Sequence, residues 1–192
     1  MGGSPPCYNR LAFPRRTFTG EMSTTFLISD THFGHLGVTK FLREDGTKLR
    51  PWNSVEEMDE AMIENWNKVV THNDKVYHLG DVVINRKALH TLYRLNGTKV
   101  LIKGNHDLFR LDEYTPHFKD IRAYHVLDQF LLAHIPVHPE SLERWPAQIH
   151  GHLHANTLKN KRYINVSVEQ IDYTPIPFDI VKERFRNERS MC

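Results

Sequence analysis

Short apolar runs recur along the chain, each closed by polar residues, and they set the pattern of elements. Thr25 to Ile28, Lys75 to Leu79, Thr98 to Ile102, Phe130 to Ala133, Gln148 to His150 and Tyr163 to Val166 have strand length. Between the first two, Val55, Met58, Met62, Trp66, Val69 and Val70 recur at helical spacing behind Asn53 or Ser54 as N-cap, which predicts a long core-facing helix. Shorter helices are expected over Val38 to Leu42 and Asn85 to Leu95, with a helical turn opening at Leu108-Phe109 and a charged helix over Ile180 to Glu188. Strands alternate with helices early and predominate later, an order that predicts an α/β layered fold.

Composition narrows the setting. A chain of 192 residues with 40% hydrophobic and 25% charged content is expected to form one soluble domain. Residues 1–22, rich in Gly, Pro and Arg, read as a poorly ordered extension with Met22 the more natural start, and 23–192 as the domain. A net charge of +2 does not point to a polyanion partner. Cys7 and Cys192 can build neither a disulfide framework nor a thiolate cluster, so a reducing, cytoplasmic setting is expected. No run approaches the ~20 apolar residues of a membrane helix, and no membrane partner is expected.

The 13 histidines change the picture, because they cluster where strands end. Asp30 and His32, Asp81, Asn105 and His106, His134, then His152 and His154 each follow an apolar run, and the carboxyl ends of strands in α/β sheets are where ligands gather. Aspartate and histidine one residue apart in an extended segment can point to the same side, so Asp-x-His and His-x-His can each grip an ion. Two aspartates, an asparagine carbonyl and four histidines besides His106 are too many ligands for a single ion. A pair of ions sharing one carboxylate is the economical arrangement. Mixed nitrogen and oxygen donors suit Mn, Fe, Zn, Co or Ni better than Ca or Mg.

The ordered series Asp30-x-His32, Gly80-Asp81, Gly104-Asn105-His106-Asp107, His134 and Gly151-His152-x-His154 resembles the calcineurin-like metallophosphoesterase superfamily, from about Thr25 to Val168. The resemblance implies a four-layer α-β-β-α sandwich with two mixed β-sheets and a dinuclear metal centre at the strand ends. One metal would take Asp30, His32, Asp81 and His154. The second would take Asp81, Asn105, His134 and His152, with Asp81 bridging, and manganese is the first expectation. His106 matches the family's catalytic histidine that is not a ligand. The implied activity is hydrolysis of a phosphate ester by metal-activated hydroxide, and the chemistry agrees: two cations clamp phosphate oxygens and supply a nucleophile, while an imidazole carries the proton.

Departures narrow the branch. Ile84 stands where the Ser/Thr protein phosphatases of the superfamily carry a second aspartate, and the central motif ends in Asp107 rather than Glu, which disfavours a protein phosphatase. The DNA-repair nucleases normally bring a longer chain with a DNA-binding cap, a pattern this sequence does not display. A compact, stand-alone member acting on a small phosphomonoester, phosphodiester or nucleotide is the expectation, with a nuclease acting on nucleic acid or a non-catalytic metal-binding scaffold as alternatives. His35, His138 and Arg86 are candidate substrate contacts, whereas Arg43 and Arg50 are expected on the solvated surface. His72, His78, His90, His117, His125 and His150 are expected to be structural or exposed.

Overall fold

The computed structural model describes residues 23–190, so the extension expected over 1–22 lies outside the described residues. Four parallel strands, β1 (Thr25–Ile28), β2 (Lys75–His78), β3 (Thr98–Ile102) and β4 (Asp120–Arg122), form most of a first sheet. A second sheet holds β5 (His125–Leu127), β6 (Phe130–Leu132), β7 (Gln148–His150) and β8 (Tyr163–Asn165), with β5 antiparallel to β6 and the rest parallel. The last strand, β9 (Ile176–Pro177), returns antiparallel to β1, giving the first sheet the order β4-β3-β2-β1-β9 and the second β5-β6-β7-β8. The fold is therefore α/β with two mixed sheets.

The continuous apolar runs are explained by burial on both faces, as parallel strands require. Leu27, Val76, Leu101 and Ile102 are solvent-free, and Leu27, Tyr77 and Val100 lie side by side across β1, β2 and β3. The expected long helix is α1 (Val55–Val69), capped by Ser54, whose Oγ accepts the Glu57 amide at 3.1 Å. Met58, Met62 and Trp66 are buried as the spacing predicts, and Ile63 joins them. A single turn, α2 (Leu111–Tyr114), starts slightly later than Leu108-Phe109. The final helix, α3 (Phe178–Ser190), extends the expected Ile180 to Glu188 at both ends. Phe178 and Phe185 on α3 meet Phe130 of β6 edge-on at ring-centroid distances of 5.7 and 5.4 Å, although the helix also packs on β1.

Two expected helices take a tighter form. Arg86–Arg94 is a 3-10 helix started by Asn85, whose side chain accepts the Lys87 amide, and buried Ala88 and Thr91 stack three residues apart as that repeat demands. The expected Val38 to Leu42 helix shrinks to a 3-10 turn at Gly37–Thr39, after which the chain opens into a hairpin. Among the described residues no helix is long and apolar enough to cross a membrane.

Beyond the strands, backbone pairing continues into the loops. The Ser29 amide donates to Val166 O and the Val168 amide to Ser29 O, each at 3.0 Å, so the end of β1 leans on the end of β8. Asp30 N donates to Gly80 O, His32 N to Asp81 O and Gly151 N to His134 O, each at 3.0 Å. These bonds bring the loops that follow β1, β2, β6 and β7 to one edge. Removing the α1 cap should leave that edge alone: Ser54→Ala is expected to cost about 1 kcal/mol of stability in a urea titration, without changing metal binding by the folded protein.

Candidate metal centre

Asp30, His32 and His154 present ligand atoms within 4.8 Å of one another, and so do Asp81, His134 and His152. The groups adjoin through Asp81, whose Oδ2 lies 3.7 Å from His32 Nε2 and 3.3 Å from His134 Nε2. Asn105 Oδ1 completes the second group, at 3.0 Å from His134 Nε2 and 2.9 Å from His152 Nδ1. His106 stands at the mouth, its ring centroid 5.7 Å from that of His32.

Each carboxylate is gripped by one oxygen and offers the other. Asp30 Oδ2 accepts from the His152 amide and the Ser167 hydroxyl, both at 2.9 Å, while Oδ1 has no hydrogen-bond partner. Asp81 Oδ1 accepts the His106 amide at 2.8 Å, which turns Oδ2 toward the two histidines. The imidazoles follow the same plan. His134 Nδ1 donates to Leu79 O at 2.6 Å and His154 Nδ1 meets Glu169 Oε1 at 3.1 Å, so in both rings Nε2 faces the cluster. Such outer partners fix the tautomer and orientation of metal-binding histidines.

The donor set fits cations. With its proton on Nδ1, a neutral His134 directs a lone pair from Nε2 at two oxygens, of Asn105 and Asp81. Acceptors facing acceptors need a proton or a cation between them. Both ring nitrogens of buried His32 also have no hydrogen-bond partner, an unusual state for buried polar atoms. The residues that would hold ions are therefore Asp30, His32 and His154 on one side, and Asp81, Asn105, His134 and His152 on the other.

Electrostatics point the same way. Burial alone would raise the Asp30 carboxyl, but His32, His134 and His154 hold it below the usual carboxylate range. Burial would lower His134, but Asp81, Asp30 and the Leu79 carbonyl together outweigh it, so His134 is raised. His154 is likewise raised against burial, by Glu169. Burial lowers His32 and His152, which favours the neutral, ligating form.

The backbone corrects one expectation. Asp-x-His and His-x-His do not lie in extended segments: Asp30 and His32 have φ of 59° and 51°, His152 and His154 of 68° and 49°, and Asp81 of 56°. Left-handed geometry costs a non-glycine residue about 1–2 kcal/mol, and such strain concentrates at functional sites. The motif glycines have a separate task. A Cβ on Gly104 would strike Asp81 Oδ1, and one on Gly151 would strike Ser29 Oγ and Asp30 Oδ2. Neither position can carry a side chain while the carboxylates stay where they are.

Other residues resolve in several ways. Arg50, expected on the surface, is fully buried: it donates to Asp30 O at 2.5 Å, to Thr31 O at 2.8 Å and to Glu169 Oε1 at 2.9 Å. The reason is that the bend carrying Asp30 turns its carbonyls inward, where they need donors. His35 comes within 5.4 Å of the His32 ring centroid, and burial pushes it down to about 4. Arg86 instead pairs with Glu113 and lies over Phe109, and His138 stands exposed beside Glu140. His78, expected to be structural, bonds Thr31 Oγ1 at 2.9 Å and is pushed down to about 3 by burial.

Two further carboxylates support the site: Asp107, which closes the central motif, and Glu169, which no motif marks. Asp107 accepts the amides of Asp81, Val82 and Gly104 at 2.8–2.9 Å, stapling the β2 loop to the β3 loop. Glu169 is enclosed between His154 and Arg50. The signal for Glu169 is its place shortly beyond the β8 run, as the candidate ligands lie beyond theirs.

No family model matches the sequence. The chain is 38% identical over 176 residues to the uncharacterized protein MJ1445 of Methanocaldococcus jannaschii, covering 84% of this chain and 90% of that protein. A crystal structure of a protein of unknown function from Aquifex aeolicus, AQ665, superposes with a TM-score of 0.65 at 26% identity, over 84% of this chain and 99% of the other. An archaeal phosphodiesterase aligns over 75% of this chain and 82% of its own at 18% identity and a TM-score of 0.42, too slight a likeness to carry an argument.

Since His134 and His154 must shed protons to ligate, their raised values make metal uptake release protons, and apparent affinity should climb as pH rises through and just above the ordinary histidine range. Titration calorimetry in two buffers of different ionisation enthalpy measures the release. Glu169→Gln keeps the volume and removes the charge behind His154, and should weaken metal affinity about 10- to 100-fold in a chelator competition.

Proposed function

The chain belongs to the family of protein MJ1445, and from the geometry of its two clusters we propose that it is a metal-dependent phosphoesterase with a dinuclear centre. The observation that carries this reading is the position of Asp81 Oδ2, 3.7 Å from a histidine of one group and 3.3 Å from a histidine of the other. A single carboxylate oxygen between two incomplete ligand sets is what a shared pair of ions requires. The four-layer arrangement around the two sheets belongs to the same proposal.

Bound cations, manganese first among the candidates, would neutralise phosphate oxygens and activate water. The chain's own residues do the rest. Asp30, Asp81 and Asn105 supply oxygen donors, and His32, His134, His152 and His154 supply nitrogen donors. His106, exposed at the mouth with its amide tied to Asp81 Oδ1, can turn its ring toward the leaving oxygen and deliver a proton. His35 neighbours His32 and serves as a neutral hydrogen-bond partner for the phosphate. The substrate is a small phosphomonoester, phosphodiester or nucleotide.

The test is turnover of p-nitrophenyl phosphate, bis-p-nitrophenyl phosphate and cyclic nucleotides by metal-free protein refilled with Mn, Ni or Zn. Activity should depend on the added metal, and a silent panel with metals bound would overturn the reading. Asp81→Asn should lose bound metal by elemental analysis, and activity with it. His106→Ala should retain metal while kcat falls about 10²- to 10⁴-fold; loss of metal from that variant would contradict its role.

A further inference from the structure

A cavity of about 580 Å³ opens directly beside His152 and His154. One wall is the hairpin formed by residues 41–49, closed by the turn at Asp45-Gly46 and held by the Leu49 amide on Phe41 O at 2.8 Å and the Arg43 amide on Thr47 O at 2.7 Å. Leu49, nearly buried, and Arg50, fully buried, fix its base. The opposite wall comes from Leu153 and Ala155, next to the candidate ligands. The cavity thus shares His152 and His154 with the candidate metal centre, and its size suits a ring-bearing small molecule.

Its lining differs from that of the centre. Phe41 and Leu42 are 49% and 65% exposed and turn apolar surface into the cavity. Phe41 stands edge-on to His35 at a centroid distance of 5.9 Å, and His35 in turn neighbours His32, so the ring is indexed to the site. Charge on the lip is one arginine, Arg43, against Glu44 and Asp45. Such a lip repels a second phosphate or a polynucleotide backbone, which a nuclease would instead draw in with a basic stripe, and it tolerates a neutral or weakly cationic group.

We propose that this cavity receives the organic half of the phosphate ester, and that this half carries a flat aromatic ring that packs against Phe41. The inference rests on the phosphoesterase reading and specifies its substrate class. Phe41 is then a specificity determinant, since the phosphate is held elsewhere.

Two phosphonates that cannot be hydrolysed separate the claims: methylphosphonate and phenylphosphonate, titrated calorimetrically into the manganese-loaded full chain. The native protein should bind phenylphosphonate about five- to tenfold more tightly. Phe41→Ala should bring the two within about twofold with methylphosphonate affinity unchanged, and Phe41→Tyr should keep the preference. Because Phe41 is half exposed, the alanine variant should keep its melting transition by circular dichroism. Equal binding by the native protein, or a preference that survives Phe41→Ala, overturns the aromatic-ring assignment and leaves the phosphoesterase reading standing. Failure of both phosphonates to bind metal-loaded protein removes that reading and this inference together.

Discussion

Everything at the site depends on a division of labour within each carboxylate. Asp30 and Asp81 each have one oxygen fastened by protein hydrogen bonds and the other aimed at histidine nitrogens. A carboxylate left free on both sides would rotate, and one satisfied on both sides would have nothing to offer a cation. The fastening groups belong to other loops: the His152 amide and Ser167 hydroxyl hold Asp30, and the His106 amide holds Asp81. Each of the two carboxylates is therefore positioned by a segment that carries another candidate ligand or lies beside the site.

This coupling accounts for the backbone. To turn their side chains inward at the strand ends, five candidate ligands adopt left-handed conformations, which the surrounding bonds must over-determine. Arg50 contributes by donating to the carbonyls of Asp30 and Thr31, and Glu169 neutralises it while holding His154. Asp107 contributes by tying three amides of adjacent loops. Its burial raises the carboxyl, an effect those amide bonds oppose. The close approaches at Gly104 and Gly151 follow from the same packing.

Much of this was legible in the sequence, for identifiable reasons. Strands β1, β2, β3 and β6 announced themselves because their burial demands apolar runs, and β7 and β8 because an apolar residue sits among short segments of strand-forming side chains. The residues that converge could be named because a polar residue just beyond such a run has few places to go except the sheet's carboxyl edge. The supporting shell was harder to read. Arg50 sits in a loop with no periodicity, and nothing local distinguishes it from a solvated arginine until its carbonyl partners are in place. β4 and β5 are three residues long and only partly buried or exposed, β9 is only two residues long, and left-handed bends at aspartate and histidine leave no mark in composition. The helix expected over Asn85 to Leu95 is present as Arg86–Arg94, but its 3-10 form does not show in the sequence, because spacings of three and four residues overlap over so short a stretch.

Charge balance links this architecture to the chemistry proposed for it. Arg50 and Glu169 form a buried pair that cancels, leaving Asp30 and Asp81 as the charged donors among otherwise neutral ligands. Two divalent cations would carry twice the charge of those two carboxylates, and the surplus would stand in a largely desolvated pocket where electrostatic attraction is stronger than in water. An anionic phosphate ester is suited to meet such a surplus. A site with more carboxylates would satisfy its ions internally and have less hold on the substrate. On the proposed reading, histidine and asparagine in place of further aspartates would keep a loaded centre electrophilic, and the apolar wall at Phe41 with the acidic residues beside it would leave the phosphate as the one strongly anionic group to be taken there.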